Sequence, residues 1–429
     1  MSEGHATRSL ASMVQIDPES LPQGTPASYT FRYIDITSVA GGRLRLPDEE
    51  TQYRNAPSRA RRIVRDRDVI MSTVRPNLKA FVYCGLPDGN YIASTGFAVL
   101  RAINGNDPGY VLYSILSDPL SRQIDRLVVG SNYPAINTPD LKRLQVSAFS
   151  PPEQHRIAKI LSSVDDAIER TEALIAKYQQ IKAGLMHDLF TRGVTPDGHL
   201  RPPRSDAPKL YRKSPLGWIP EGWQTVMLGK LAEIVSGVTL GSKDDSPARI
   251  EVPYLRVANV QDGFLDLSEI KTVKIPAALA EKLYLRRGDV LMNEGGDFDK
   301  LGRGTVWNEE ISPCVHQNHV FRVRPAAGDL RSEYLALWSQ SEFGKKYFVF
   351  SSKQSTNLAS INSTQLNRFL VALPSPSEQR RIEERLQFSN ARIETLQIER
   401  DKLRLVKQGL MHDLLAGRVR VKIEELAAT

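Results

Sequence analysis

The feature that most constrains this chain of 429 residues is a long segment that occurs twice. Residues 151–194 and 376–419 align without a gap at a constant offset of 225, and 17 of the 44 aligned residues are identical. Both copies contain the sequence Gly-Leu-Met-His-Asp-Leu, which starts at 184 in one and at 409 in the other. A repeat unit this long is not a solenoid repeat, so the sequence predicts two related halves.

Weaker matches precede both copies of the repeated segment. Ile136-Asn137 corresponds to Ile361-Asn362, and the Asp-Val-Ile-Met sequence at 68 corresponds to Asp-Val-Leu-Met at 289. Each half is therefore expected to be a globular domain followed by a helix. The predicted organisation is a first domain (1–150), a central helix (151–194), a connector (195–215), a second domain (216–374), a C-terminal helix (375–419) and a tail (420–429).

The repeated segments have the pattern of long amphipathic helices. Ser150 and Ser375 are suited to capping, and prolines and glutamates follow in the first turn. Apolar residues then recur every three or four positions between charged ones, as in a coiled coil. Two such stripes can bury each other, or each can pack on its own globular domain. The residues expected to pair the helices are Ile157, Leu161, Val164, Ile168, Ile175, Ile382, Leu386, Ile393, Leu396 and Leu403.

The globular parts predict an α+β fold with two mixed domains. Segments rich in Val, Ile, Tyr, Phe and Thr are broken by Gly, Pro and Asn, which is typical of short strands. The connector is rich in proline and basic residues and is expected to be extended and exposed. The predicted strands are 29–39, 68–74, 79–84, 91–101 and 110–116 in the first domain, and 252–260, 289–293, 304–307 and 319–324 in the second.

Composition excludes several classes of protein. No apolar run approaches the roughly 18 residues of a membrane span, and the N-terminus lacks the pattern of a secretory signal. Two cysteines, Cys84 and Cys314, cannot form a disulfide framework. We therefore expect a cytoplasmic protein without a membrane partner.

The sequence also lacks the motifs of an enzyme. It contains no phosphate-binding loop, no dinucleotide-binding glycine pattern and no motif that grips a flipped adenine. The His-Asp pairs at 187 and 412 have no further ligands in register, and His316 and His319 would face opposite sides of a strand. We expect neither a catalytic site nor a metal site.

The excess of basic over acidic residues is concentrated in particular segments of the chain. Residues 1–150 carry 17 basic and 14 acidic side chains, residues 196–215 carry 5 and 2, and residues 216–373 carry 18 and 18. Clustered arginine suits contacts with phosphate and guanine, although a solvated loop can show the same pattern. The densest cluster is Arg54, Arg59, Arg61, Arg62, Arg65 and Arg67.

These features together resemble the specificity subunit of type I restriction-modification systems. The resemblance rests on two mixed domains, each followed by a helix that opens Pro-x-Glu-Gln and ends Gly-Leu-Met-x-Asp-Leu. The Ile-Pro-Glu-Gly-Trp sequence at 219, with Leu228-Gly229 after it, is similar to the start of that family's target recognition domain. The first half lacks this start, so residues 1–28 carry no fold prediction.

The resemblance implies a DNA-recognition subunit without catalytic activity. In the family, each target recognition domain recognises one half of a split DNA target, and the two helices pair antiparallel as a spacer. The implied partners are double-stranded DNA, two methyltransferase subunits that methylate adenine, and ATP-dependent restriction subunits. S-adenosylmethionine, ATP and Mg²⁺ would act on those subunits, and this chain would hold no cofactor.

Polar loop residues that flank the strands are the candidate DNA-binding residues, because Arg, Asn and Gln can pair with base edges. Each could also be an ordinary surface side chain. In the first domain the candidates are Arg59, Arg61, Arg62, Arg65, Arg75, Asn77, Lys79, Ser131, Asn132 and Tyr133. In the second they are Ser242, Lys243, Asn293, Gln317, Asn318, Lys353, Gln354, Ser355, Thr356 and Asn357.

Two alternatives remain at the level of sequence. A coiled-coil scaffold that binds only protein would show no salt-dependent affinity for DNA, whereas a DNA-binding subunit would. An orphan specificity subunit that borrows a methyltransferase from another locus agrees with every feature above.

Overall fold

The computed structural model describes residues 6–130, 134–240, 248–296, 301–354 and 359–423. The chain divides into two compact units, Met1–Leu174 with Leu396–Thr429, and Ile175–Thr395. Both boundaries fall inside the long helices. Each unit therefore contains one globular domain and a part of each helix.

The described part of the first domain contains two four-stranded sheets, the two-stranded pairs β1-β12 and β4-β5, and three short α-helices. Its strands are β1 (Thr7–Ser9), β2 (Val14–Ile16), β3 (Thr30–Ile34), β4 (Val39–Ala40), β5 (Arg43–Leu44), β6 (Thr51–Gln52), β7 (Ala60–Val64), β8 (Val69–Ser72), β9 (Phe81–Tyr83), β10 (Tyr91–Ser94), β11 (Phe97–Ala102) and β12 (Gln145–Ser147). Its helices are α1 (Pro108–Leu116), α2 (Asp118–Leu127) and α3 (Thr138–Arg143), and the long helix α4 (Pro151–Arg192) follows.

The two sheets of the first domain have the strand orders β2-β11-β8-β9 and β6-β3-β10-β7, and β1 pairs with β12. Alternate residues of β8 enter different cores. Val69 and Met71 pack in the core that contains α1 and α2, whereas Ile70 packs in the core that contains residues of the second sheet. Both faces of β8 are buried, which explains its continuous apolar sequence.

The second domain is built in the same way. Its strands, with those of the hairpin before it, are β13 (Tyr211–Ser214), β14 (Gly217–Pro220), β15 (Gln224–Met227), β16 (Ala232–Ser236), β17 (Arg249–Leu255), β18 (Lys271–Pro276), β19 (Val290–Asn293), β20 (Gly295–Gly296), β21 (Gly304–Val306), β22 (Val315–His316), β23 (Val320–Pro325), β24 (Lys353–Gln354), β25 (Ala359–Ser360) and β26 (Leu370–Leu373). Its helices are α5 (Ala277–Leu283), α6 (Ser332–Gln340), α7 (Glu342–Ser351) and α8 (Ser363–Asn367), and the long helix α9 (Pro376–Leu415) follows.

The topology of the first domain recurs in the second. The sheet β16-β23-β19-β21 corresponds to β2-β11-β8-β9, and the pair β15-β26 corresponds to β1-β12. The parallel pair β17-β22 corresponds to β3-β10. Helices α6, α7 and α8 follow in the order of α1, α2 and α3. The predicted fold class, two mixed domains in an internal repeat with long helices, is confirmed.

The start of the first domain, for which the sequence carried no prediction, matches the start of the second. The Leu10 amide donates to the Leu144 carbonyl at 2.7 Å, and the Leu228 amide donates to the Phe369 carbonyl at 2.8 Å. Each of these leucines follows the first strand of its domain and is fully buried. Residues 7–16 therefore complete the first domain without the Pro-Glu-Gly-Trp sequence.

The strand predicted at 110–116 is wrong, because this segment lies in α1. The Asp107 carboxylate caps the helix by accepting from the Tyr110 amide at 2.9 Å. Buried side chains one turn apart, such as Val111 and Ile115, face the core. A short apolar run is compatible with either a buried helix or a strand. Here the capping residue Asp107 is the signal that favours a helix.

The connector at 195–215 is mostly exposed, as predicted, but it is folded and not simply extended. The guanidinium of Arg201 donates to the Glu378 carboxylate at 3.1 Å, and the Tyr211 hydroxyl donates to the Pro202 carbonyl at 2.6 Å. Strands β13 and β14 form a hairpin. Composition could not reveal the Arg201–Glu378 contact, because these two residues are distant in sequence.

The long helices begin at the predicted serines. The Glu153 carboxylate accepts from the Ser150 amide at 2.8 Å, and the Ser375 hydroxyl accepts from the Glu378 amide at 3.3 Å. These bonds pair groups that have no partner within the helix.

Most of the predicted helix-pairing residues are buried. Ile157, Leu161, Ile175, Ile382, Leu386, Ile393 and Leu396 are buried, and Val164, Ile168 and Leu403 are half-buried. In each unit the beginning of one helix shares a core with the end of the other: Ile157 and Leu161 with Leu414 and Leu415, and Ile382 and Leu386 with Leu189 and Phe190. The helices are thus antiparallel within each unit. The same cores include the globular domains, so both packing alternatives hold.

Within the part of the chain that the structure describes, no helix combines the length and the apolarity needed to cross a membrane.

Candidate nucleic-acid interface

In the first domain, four loop segments are joined edge to edge. We call residues 57–59, 73–79, 95–96 and 134–136 the first loop cluster. Turn 95–96 separates β10 from β11, which were predicted as one strand. Three backbone hydrogen bonds connect the segments: from the Thr95 amide to the Arg59 carbonyl (2.8 Å), from Thr73 to Gly96 (2.8 Å) and from Arg75 to Pro134 (2.7 Å).

The first loop cluster presents several of the predicted DNA-binding side chains. Arg59, Arg75 and Asn77 are exposed, whereas Lys79 is half-buried and donates to the Leu116 carbonyl at 3.1 Å. Arg75 and Lys79 both have φ of 50°, in the left-handed region that disfavours residues with side chains. A loop that holds two such residues is shaped by its surroundings, and strained backbone of this kind concentrates at functional sites.

The second domain contains a matching arrangement. We call residues 294–296, 317–319, 353–354 and 359–361 the second loop cluster. Strand β25 pairs with both β20 and β24. The Glu294 amide donates to the His319 carbonyl at 2.9 Å, and the Ile361 amide donates to the Glu294 carbonyl at 2.8 Å.

The two loop clusters share one backbone frame. In the first cluster the counterparts of the last two bonds run from Thr73 to Gly96 at 2.8 Å and from Ile136 to Thr73 at 2.9 Å. The asparagine after each isoleucine, Asn137 or Asn362, caps the short helix that follows by accepting an amide at 2.9 Å. This frame explains why the Ile-Asn pair recurs in the sequence.

The described side chains of the second loop cluster include two neutral amides and one ion pair. Gln317 and Asn318 are half-buried, and the exposed His319 ring lies 2.6 Å from the Glu294 carboxylate. Asn293, also a predicted candidate, is 1% exposed and uses its amide to donate to the Val260 carbonyl at 2.9 Å. The structure therefore places Asn293 beneath the cluster, with its side chain directed inward.

Five of the six arginines in the patch of the first domain divide into two groups by their contacts. Arg62 pairs with Asp17 at 3.1 Å, and Arg65 pairs with Glu19 at 2.8 Å. Hydrogen bonds from Arg65 and then from Arg101 lower the pKa of Glu19 from 4.5 to about 2. These arginines are neutralised by acids of their own domain and lie outside the loop cluster.

The other group of patch arginines is less constrained. Arg61 stacks over the Tyr53 ring with its guanidinium carbon 5.3 Å from the ring centre. Arg54 and Arg59 are exposed, and neither forms an ion pair with the residues that the structure describes. Arg59 is the patch residue that lies in the first loop cluster, and no acid among the described residues forms an ion pair with it.

A buried ion pair supports the strand that leads into each loop cluster. Asp68 is 1% exposed and accepts two bonds from Arg101, at 2.8 and 2.9 Å. Asp289 is 1% exposed and accepts two bonds from Arg324, at 2.6 and 2.8 Å. Each aspartate directly precedes β8 or β19. The repeated Asp-Val sequence thus has a structural role that orients the cluster strands.

Several of the predicted DNA-binding residues lie outside the described residues. Those outside are Ser131, Asn132, Tyr133, Ser242, Lys243, Ser355, Thr356 and Asn357. Lys353 and Gln354 are described as the strand β24.

Some members of the loop clusters were not among the residues predicted from the sequence. They are Thr73, Thr95, Gly96, Glu294 and His319, which an alignment of the halves with small shifts would have found.

The histidines considered for a metal site have other contacts. His187 lies 3.5 Å from Glu342, and His412 contacts Arg418. His316 is fully buried against the Val320 carbonyl at 2.6 Å, and burial lowers the pKa of its imidazole to about 4. Among the described residues, no three His, Cys, Asp or Glu side chains converge as metal ligands would.

Known proteins with similar sequences share one description. The family model for the type I restriction modification DNA specificity domain matches residues 62–180 and 220–404. The MjaVIII specificity subunit of Methanocaldococcus jannaschii is 26% identical over 300 residues, 68% of this chain and 66% of that subunit. The EcoBI specificity subunit of Escherichia coli is 25% identical over 243 residues, 55% of this chain and 49% of that subunit.

Solved structures share the fold. A chain of a type I restriction-modification system aligns with a TM-score of 0.58 and 23% identity, covering 98% of this chain and 99% of that one. The S subunit from M. genitalium aligns with a TM-score of 0.53 and 14% identity, covering 97% of each chain. Since the family model covers more than half of the sequence, the chain belongs to the family of type I restriction-modification DNA specificity subunits.

Proposed function

We propose that this chain recognises a split DNA sequence and that each loop cluster contacts one half-site. The observation that carries this proposal is the shared backbone frame of the two clusters, built on different side chains. A frame that is kept while its side chains change is expected of two recognition sites with different targets. The proposed DNA target is therefore bipartite and asymmetric, with an unread spacer.

The side chains suggest how each half-site is bound. In the first cluster, Arg59 and Arg75 can contact phosphates or the O6 and N7 atoms of guanine, and Asn77 can pair with adenine. In the second cluster, Gln317 and Asn318 offer amides that also suit adenine. The second domain carries equal numbers of basic and acidic residues between 216 and 373, so it would rely more on neutral hydrogen bonds.

The partners follow from the family. We propose that two methyltransferase subunits dock on this chain and methylate adenine in the recognised site, and that restriction subunits join this core. S-adenosylmethionine, ATP and Mg²⁺ would then be used by those subunits in the cytoplasm. The chain would contribute recognition and geometry, and no catalytic group.

The test is a methylation map of a host genome. The chain is co-expressed with a candidate methyltransferase subunit, and methylated adenines are located by long-read sequencing. We expect a split motif that disappears when this chain is omitted. Unchanged methylation, with the partner shown to be bound and active, would contradict DNA recognition and favour a scaffold.

A further inference from the structure

A buried glutamine near the start of α4 connects three segments of the first unit. Gln154 is fully buried. Its amide nitrogen donates to the Phe149 carbonyl at 2.9 Å and to the Asn106 side-chain oxygen at 3.0 Å. Its amide oxygen accepts from the Asp107 backbone at 3.0 Å. Both hydrogens and the oxygen of one amide are used.

A second glutamine makes the equivalent set of bonds in the other unit. Gln379, at the start of α9, is also fully buried. Its nitrogen donates to the Pro374 carbonyl at 2.9 Å and to the Asp329 carbonyl at 2.7 Å. Its oxygen accepts from the Arg331 backbone at 2.9 Å.

These two sets of bonds, which we call the glutamine clamps, lock a long helix to the globular domain that precedes it. Asp107 and Arg331 are the N-caps of α1 and α6. A carboxylate could not replace the amide, since it has no hydrogen to donate to two oxygens. The clamp therefore specifies glutamine at this position of both helices.

One strand links each glutamine clamp to the loop cluster of the same domain. Strand β11 starts directly after Gly96 of the first cluster and runs toward Asn106, and β23 starts after His319 of the second cluster and runs toward Asp329. Six residues of strand span about 20 Å. A tilt of about 10° at the clamp would move a point about 20 Å away by roughly 3.4 Å, the rise of one base pair along the strand.

We propose that Gln154 and Gln379 are positioning residues that determine how strictly the complex measures the spacer between its half-sites. This inference rests on the proposed function. Neither glutamine belongs to a loop cluster, so the half-sites themselves should not depend on them. Loss of a clamp should let a domain tilt on its helix, and sites with a spacer one base pair longer or shorter should become substrates.

The test compares methylation maps of complexes that contain the wild-type chain, Gln154→Ala, Gln379→Ala or both substitutions. For each variant we expect unchanged half-sites and a rise of about fivefold in methylation at sites with a spacer altered by one base pair, or about 1 kcal/mol of lost discrimination. If Gln154→Ala gives no soluble complex, Gln154→Asn keeps the amide, shortens its reach and carries the same expectation.

The control is Ile124→Ala, which removes a buried side chain of α2 that takes no part in the hydrogen bonds of the clamp. It should lower the melting temperature and leave the spacer preference unchanged. Clamp variants that lower the melting temperature yet keep the wild-type spacer would overturn the inference, because the glutamines would then be merely structural. A wild-type complex without any split motif would instead overturn the proposed function.

Discussion

Individual residues show which parts of the repeat are structural. Asp68 and Asp289 hold arginines of the neighbouring strand in bidentate pairs, and both carboxylates are almost completely buried. The Asp-Val sequences around them matched only weakly between the halves. The match reflects an ion pair that any domain of this fold could need, and it carries no information about the DNA sequence.

The buried pair in the second domain predicts a large loss of stability. In Asp289→Ala, the Arg324 guanidinium and the Arg286 amide lose their acceptors. Breaking a buried pair from one side typically costs about 3 kcal/mol or more. The free energy of unfolding in urea should fall by about that amount, while Glu281→Gln on the exposed surface should leave it within about 0.5 kcal/mol of wild type. Equal stability of the two variants would contradict the structural role.

Glu19 predicts a pH dependence. Because the pKa of Glu19 is lowered from 4.5 to about 2 in the folded chain, its contribution to stability is fully present above about pH 4.5 and is lost as the pH falls toward 2. The difference in unfolding free energy between wild type and Glu19→Gln should therefore shrink as the pH decreases through this range. A difference that stays constant with pH would show that the carboxylate charge is not involved.

Arg59 is the arginine of the patch that should affect DNA binding most clearly. If it contacts a phosphate, Arg59→Ala should weaken DNA binding by the assembled complex and reduce the slope of log affinity against log salt by about 1. The control is Arg43→Ala, since Arg43 lies 3.5 Å from Glu169 and Glu172 of α4. Equal effects of the two substitutions would contradict the assignment of the first loop cluster.

At this scale the sequence could identify only part of the candidate site. The arginine pattern drew attention to six residues in one stretch, but two of them are held by Asp17 and Glu19, which are distant in sequence. Asn293 has an amide that could pair with a base, but its side chain points into the domain. Whether a polar side chain points out or in depends on the sheet register, which the sequence does not contain.

At the scale of elements, the long helices were predictable and one short helix was not. The repeat, the serine caps and the apolar stripes agreed over more than 40 residues, so several independent signals indicated the same structure. Residues 110–116 contain only a short apolar run, and the local signal for a helix is the single cap residue Asp107. The loop clusters could not be predicted because they depend on bonds between loops.

The continuity of the helices across the unit boundary gives a prediction about spacer length. Insertion of seven residues after Leu174 in α4, with seven more after Thr395 in α9, keeps the coiled-coil register. Each helix would lengthen by about 10 Å, or about three base pairs of DNA. The methylated motif should keep both half-sites and gain about three base pairs of spacer. A changed half-site with an unchanged spacer would contradict the spacer role of the helices.

At the scale of the whole molecule, the chain consists of two units with the same architecture. Each unit contains a domain, a loop cluster, a buried aspartate–arginine pair and a glutamine clamp at the start of a helix. The net charge of +8 is distributed unevenly, since the excess lies mainly in the first domain and the connector. Recognition by the two halves should therefore differ in salt dependence as well as in sequence.

Exchange of one domain tests whether each domain recognises one half-site. Residues 1–150 are replaced by the corresponding domain of a relative with a different target, and the methylated motif of the resulting complex is mapped. We expect one half of the motif to change to that of the relative, while the other half and the spacer stay as in wild type. A motif that changes in both halves, or in neither, would contradict recognition of one half-site by each domain.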